Sequence, residues 1–127
     1  MLYTITSQES IAIIKEEMGS KAKEVGFGIL KEYSFKEILQ EKGYPIERDI
    51  FVFELCNPVA AQAALKTHPE VSVYLPCRIS LYERDGATVL STIGIDEILD
   101  SFDLDSEFKS HMKNIFSNLK KLLGSWK

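Results

Sequence analysis

Residues 51–83, FVFELCNPVAAQAALKTHPEVSVYLPCRISLYE, decide how the rest of the chain is read. Phe51 to Cys56 is a short run of aromatic, β-branched and apolar side chains, long enough for one buried strand. Asn57 follows, a preferred helix N-cap. Pro58 suits the first helical position, where a missing N–H is no loss. Val59, Ala60, Ala63, Ala64 and Leu65 carry a short helix, and His68-Pro69 ends it, because a residue before proline is pushed out of the α region. Cys77 to Glu83 is then the next strand. Both cysteines of the chain stand in this stretch, so Cys56 closes a strand at the mouth of a helix and Cys77 opens another strand.

Working outward, Met1 to Thr6 alternates apolar and polar residues, as a half-buried strand should. Ser7 is placed to cap a helix whose stripe is Ile11, Ile14, Met18, Ala22 and Val25, with Gly19 as a weak point. Gly26 to Tyr33 reads as the second strand. Ser34-Phe35-Lys36-Glu37 is a capping box that opens a short helix, and Gly43 ends it. On the other side, Arg84-Asp85-Gly86 turns the Cys77 strand into a fifth, Ala87 to Ile93. Asp96 to Phe102 suggests a short helix. Asp103 or Asp105 caps a longer one, with Phe108, Met112, Ile115, Leu119, Leu122 and Trp126 on one face.

The order is therefore β-α-β-α-β-α-β-β-α-α. Its terminal hairpin excludes a wholly parallel sheet. The expected fold is α+β: a mixed or antiparallel sheet of about five strands, helices mostly on one face, and a C-terminal amphipathic helix. Residues 1–127 form one domain, with a core over 1–95 and a helical extension over 96–127.

Composition narrows the function classes. A net charge of −4 with interspersed signs argues against nucleic acid, which favours a basic stripe. The first residues lack a basic segment and a long apolar run, and no stretch approaches a membrane span, so the expected location is cytoplasmic. Two cysteines in such a setting read as reduced thiols. No cofactor and no metal are expected: there is no CxxC, and His68 lies at the far end of the helix that begins beside Cys56, while His111 belongs to a solvated face. Gly26-Phe27-Gly28 lacks the third glycine of a dinucleotide fingerprint and reads as a close approach or bulge in a strand. The acidic residues from Asp96 to Asp105 do not follow calcium-loop spacing.

Three blocks carry a family resemblance: Gly26-Phe27-Gly28-Ile29-Leu30; Cys56-Asn57-Pro58 with Ala60 and Ala64-Leu65; and Leu75-Pro76-Cys77 with Leu81-Tyr82-Glu83. Together, over roughly residues 1 to 95, the chain resembles the domain of unknown function 302 family. The resemblance implies a compact α+β domain, often dimeric, and no settled activity. His68-Pro69 departs from it where an acidic residue is expected before the proline, and the tail after Asp96 lies outside it.

Can the two thiols meet? A ten-residue helix carries the chain about 15 Å back beside the third strand, and an extended Glu70 to Pro76 would return it roughly 23 Å. That reach permits Cys77 to arrive at the Cys56 end. Two functions follow. In the first, the chain is a binding module whose pocket at Cys56, Asn57 and Pro58, with Cys77 beside it, holds a small molecule or anion on the unpaired N–H groups of the helix start. In the alternative, Cys56 is a nucleophile and Cys77 its resolving partner in a thiol redox enzyme or sensor. Both thiols are also at home as small buried hydrophobes. A homodimer is expected, from the resemblance and from Phe116 and Leu123 at the flank of the tail stripe, where a second contact could form; the inner stripe covers its own sheet.

Overall fold

The computed structural model describes residues 2–127. Among them the order is β1 (Leu2–Ser7), α1 (Ile11–Glu24), β2 (Gly28–Ser34), α2 (Phe35–Glu41), β3 (Ile50–Cys56), α3 (Pro58–Thr67), a 3-10 helix (Pro69–Tyr74), β4 (Cys77–Arg84), β5 (Ala87–Ile93), α4 (Ile95–Asp100) and α5 (Ser106–Gly124). Met1, expected in the first strand, lies outside the described residues. The strands form one antiparallel sheet in the order β1-β5-β4-β3-β2. Arg84 pairs with Ala87, and the two residues between them, Asp85 and Gly86, take φ of 53° and 78°. Positive φ at both central positions is what a two-residue type I′ hairpin needs.

Alternation along the strands gives the sheet two unlike faces. Ile5, Leu90, Leu81 and Phe51 share one cross-strand row, followed by Ile79 with Phe53 and Cys77 with Leu55. On this face Leu55, Ile79, Leu81 and Leu90 are fully buried with Ile14, Met18 and Ala22 of α1 and Phe116, Leu119, Leu122 and Leu123 of α5. Burying such a side chain is worth roughly 1.5–3 kcal/mol. The other face carries Thr4 hydrogen-bonded to Ser91 at 2.8 Å and the Arg78–Glu54 ion pair at 3.2 Å.

Several expectations need correction. Ser10, not Ser7, caps α1 by accepting from the Ile13 N–H; Ser7 is buried at the end of β1, where its hydroxyl donates to the Trp126 carbonyl. Gly26 is not inside a strand. With φ of +88° it stops α1, and the Phe27 N–H bonds back to the Ala22 carbonyl at 2.9 Å, a Schellman closure. The bulge is at Leu30 instead, where the β2–β3 register shifts. Glu70 to Pro76 is not extended: Val71 is buried, Tyr74 packs edge-on to Phe102 at 5.5 Å, and Val73 between them is exposed. Two anchors three residues apart fit a 3-10 turn rather than a strand.

The tail also differs from one expectation. Asp105 caps α5, accepting from the Phe108 N–H at 2.7 Å. Its inner stripe covers the sheet, but so do Phe116 and Leu123, which are 7% and 0% exposed. Phe116 meets Tyr3 of β1 edge-on at 6.1 Å. These two side chains face their own core, so they supply no second surface for a partner. No helix among the described residues is long and apolar enough to cross a membrane.

Candidate functional site

The site is built where β3 hands over to α3. Asn57 caps α3: its Oδ1 accepts the Ala60 N–H at 3.1 Å, and its carbonyl accepts the Ala61 N–H at 2.9 Å. Pro58 has no N–H to give. Of the first turn, only the Val59 N–H is left over among the described residues. A helix start attracts an anion through free N–H groups, and here all but the Val59 N–H are used or absent. For an anion at this helix start, the Val59 N–H is the donor that remains among the described residues.

Antiparallel pairing sets Leu55 opposite Cys77, so Cys56 and Cys77 reach the same end of the sheet. That is the end the chain's reach permits, although the returning segment is a 3-10 helix rather than extended. A cavity of about 270 Å³ opens at that end. Cys56, Asn57 and Cys77 line it, and Pro58 does not; Pro58 is exposed at the first position of α3. The remaining wall comes from Ala60, Ala61 and Ala64 of α3, from Met112 and Ile115 of α5, and from Phe27 before β2. At the surface the cavity is bordered by Leu30, on the bulge, and Leu65, which are 62% and 38% exposed. A second hollow of about 60 Å³ adjoins it across Leu75, Pro76 and Cys77 and reaches Tyr74, Ile95 and Ile98.

The two thiols are free. Burial pushes the Cys77 thiol up to about 11, the neighbouring Cys56 adds to the rise, and the Arg78 guanidinium opposes it. Cys77 is thus a neutral thiol near pH 7, without the thiolate on which reactivity depends. On the opposite face of the same strand ends, Arg78 is held by Glu54, which also accepts from the Tyr33 hydroxyl at 2.7 Å. That hydrogen bond is the first cause of a raised Tyr33 pKa, since ionising the phenol would forfeit it.

The histidines stand elsewhere. His68 ends α3, with its ring 4.2 Å from Phe108 and its Nδ1 2.8 Å from the Thr67 hydroxyl. His111 is half-buried, with its Nε2 enclosed and unpartnered, and not on a solvated face as expected; both border a groove between α3 and α5. Among the described residues, no three His, Cys, Asp or Glu side chains are grouped to hold a metal.

Sequence reasoning missed most of the cavity wall. One signal was available: Ala60, Ala61 and Ala64 are small residues at helical spacing on one side of α3, and that side faces the cavity. Met112 and Ile115 were read only as part of a covering stripe. Nothing local marks them as cavity residues.

Comparison with known proteins bears on the whole chain. The family model described as domain of unknown function DUF302 matches residues 3–125. The matched region thus includes the tail that the sequence resemblance left out. The crystal structure of an uncharacterised conserved protein of that description from Bacillus stearothermophilus is similar, with a TM-score of 0.90 and 26% identity over 99% of this chain and 98% of that one. Curated proteins give no match.

Proposed function

This chain belongs to the DUF302 family, whose description assigns no activity, and from its own geometry we propose that it is a small-molecule binding module. The observation that carries this reading is the cavity of about 270 Å³ at the junction of β3, α3 and β4, bounded by Cys56, Asn57 and Cys77. Ligand pockets are concave, mostly apolar and furnished with a few placed polar groups, and this cavity has that make-up. A redox role would draw on the same two thiols, but the neutral Cys77 is a slow partner for resolving an oxidised Cys56.

The test fills the cavity. Ala61 is partly exposed and borders it, so Ala61→Phe puts a ring into the space with little demand on the core. The probe is 1-methylnaphthalene, whose own fluorescence reports transfer from water to an apolar site. Saturable binding by the parent protein, abolished in Ala61→Phe with unchanged far-UV circular dichroism, is the expected result. Binding that is absent in the parent, or equal in the two proteins, would overturn the reading.

A further inference from the structure

The chemistry of the cavity narrows its ligand. No Lys, Arg, His, Asp or Glu among the described residues lines the main cavity, and its polar side chains besides the two thiols are Asn57 and Ser72. Arg78 borders the smaller hollow, but its guanidinium is engaged by Glu54. A charged group entering here would lose hydration and find no counter-charge, which is costly. The Cys77 thiol stays protonated and adds no charge of its own near neutral pH.

Of the two polar side chains Asn57 and Ser72, Asn57 is the one the fold fixes in place. The Ala60 N–H must bond to an acceptor, which identifies the capping atom of Asn57 as Oδ1 and leaves Nδ2 as the other end of the amide. That Nδ2 has no hydrogen-bond partner among the described residues. It lies on the Gly26 side of the site, 3.4 Å from where a Cβ on Gly26 would stand. Asn57 lines the cavity; its oxygen closes α3, and its NH₂ group keeps its donors free of any partner among the described residues.

Size sets the rest. A cavity of about 150 Å³ accepts benzene, so 270 Å³ has room for roughly ten to twelve non-hydrogen atoms by the same measure. The adjoining hollow of about 60 Å³ shares Phe27, Leu75, Pro76, Cys77, Met112 and Ile115 with it, and extends the available length toward α4.

We propose that the ligand is an uncharged, elongated, mainly hydrocarbon molecule of that size with one hydrogen-bond acceptor, such as a carbonyl, met by the Asn57 NH₂ group. This rests on the cavity being the binding site, and the experiment separates the two claims. Displacement of 1-methylnaphthalene is measured with 2-decanone, with decanoate and with inorganic phosphate. The ketone is expected to compete, and decanoate and phosphate to compete at least tenfold more weakly. Asn57→Ser keeps an effective N-cap but removes the amide donors. In this variant 2-decanone is expected to weaken about fivefold more than the hydrocarbon probe does, the worth of one ordinary hydrogen bond.

The site itself fails if Ala61→Phe does not block the probe; Leu30→Trp, at the exposed bulge, makes the same block without altering α3. The ligand class alone fails if those variants block everything, yet decanoate or phosphate competes as well as the ketone. It also fails if Asn57→Ser weakens ketone and hydrocarbon equally.

Discussion

The Cys77 thiol gives the sharpest test of the electrostatics, with pH as the perturbation. Burial moves this group from its ordinary 9.0 to about 11. At pH 8 an unshifted thiol would be about one-tenth thiolate, and one at 11 about one-thousandth, a difference of roughly 100-fold in the reactive form. The sign for stability follows from the same shift. The folded state favours the protonated thiol, so its contribution is complete below the unfolded value near 9. It is lost as pH rises from about 9 to about 11. At 1.36 kcal/mol per unit the total loss is about 2–3 kcal/mol.

Two assays read this out. Iodoacetamide labelling of the native protein between pH 7 and 11, resolved by peptide mass, should show Cys77 rising only toward pH 11. Urea unfolding over the same range should show an alkaline loss of stability that is smaller in Cys77→Ala, with other alkaline titrations, Tyr33 among them, common to both proteins. Native labelling of Cys77 with an apparent pKa at or below 9, or identical alkaline loss in parent and variant, would refute the reasoning. It would also restore the thiol pair as a candidate redox couple.

Other substitutions test how the fold holds the site. Trp126 is 4% exposed and donates from Nε1 to Glu17 at 2.9 Å, so Trp126→Ala should cost about 3–5 kcal/mol in urea unfolding. Gly26→Ala places a Cβ at φ +88° and 3.4 Å from the Asn57 Nδ2; a loss of more than about 1 kcal/mol is expected. Asp105→Ala removes the α5 cap and should cost about 1 kcal/mol without altering the cavity. Deleting residues 104–127 strips Phe116, Leu119, Leu122 and Leu123 from the core. The product should be unfolded by circular dichroism, not a folded domain lacking one contact.

Elements whose signals are local were legible. Ser34, Asn57 and one of the pair Asp103/Asp105, in fact Asp105, announced helix starts because the capping oxygen and the N–H it accepts are only three residues apart. Asp85-Gly86 announced the hairpin because both residues tolerate positive φ. What failed depended on partners distant in sequence. Ser7 has the chemistry of a cap, but the Trp126 carbonyl, at the far end of the chain, captures its hydroxyl, and Ser10 takes the cap. Val71-Ser72-Val73 alternates like a strand, yet only Val71 is buried, and the turn follows Val71 and Tyr74 instead. Phe116 and Leu123 looked marginal to the α5 stripe because its width was drawn from spacing alone, whereas the sheet beneath accepts a broader face.

The cavity was illegible for a deeper reason: it is what remains after distant elements have packed. Its walls come from Phe27, the strand ends, α3, the Leu75–Cys77 segment and α5, and no stretch of sequence records their separation. Energetics nonetheless say that such a space matters. In a closed core, empty volume costs about 24 cal/mol per Å³, so 270 Å³ would cost roughly 6 kcal/mol. That is comparable with the net stability of a whole domain. Being open beside Leu30 and Leu65 relieves this, because water can enter. But water needs two to four polar partners to be well held, and Asn57 and Ser72 with two weakly bonding thiols offer few. Loosely held water is the kind whose displacement by an apolar group strengthens binding. On the proposed reading, the small side chains of α3 trade packing for a space that an uncharged ligand fills better than solvent does.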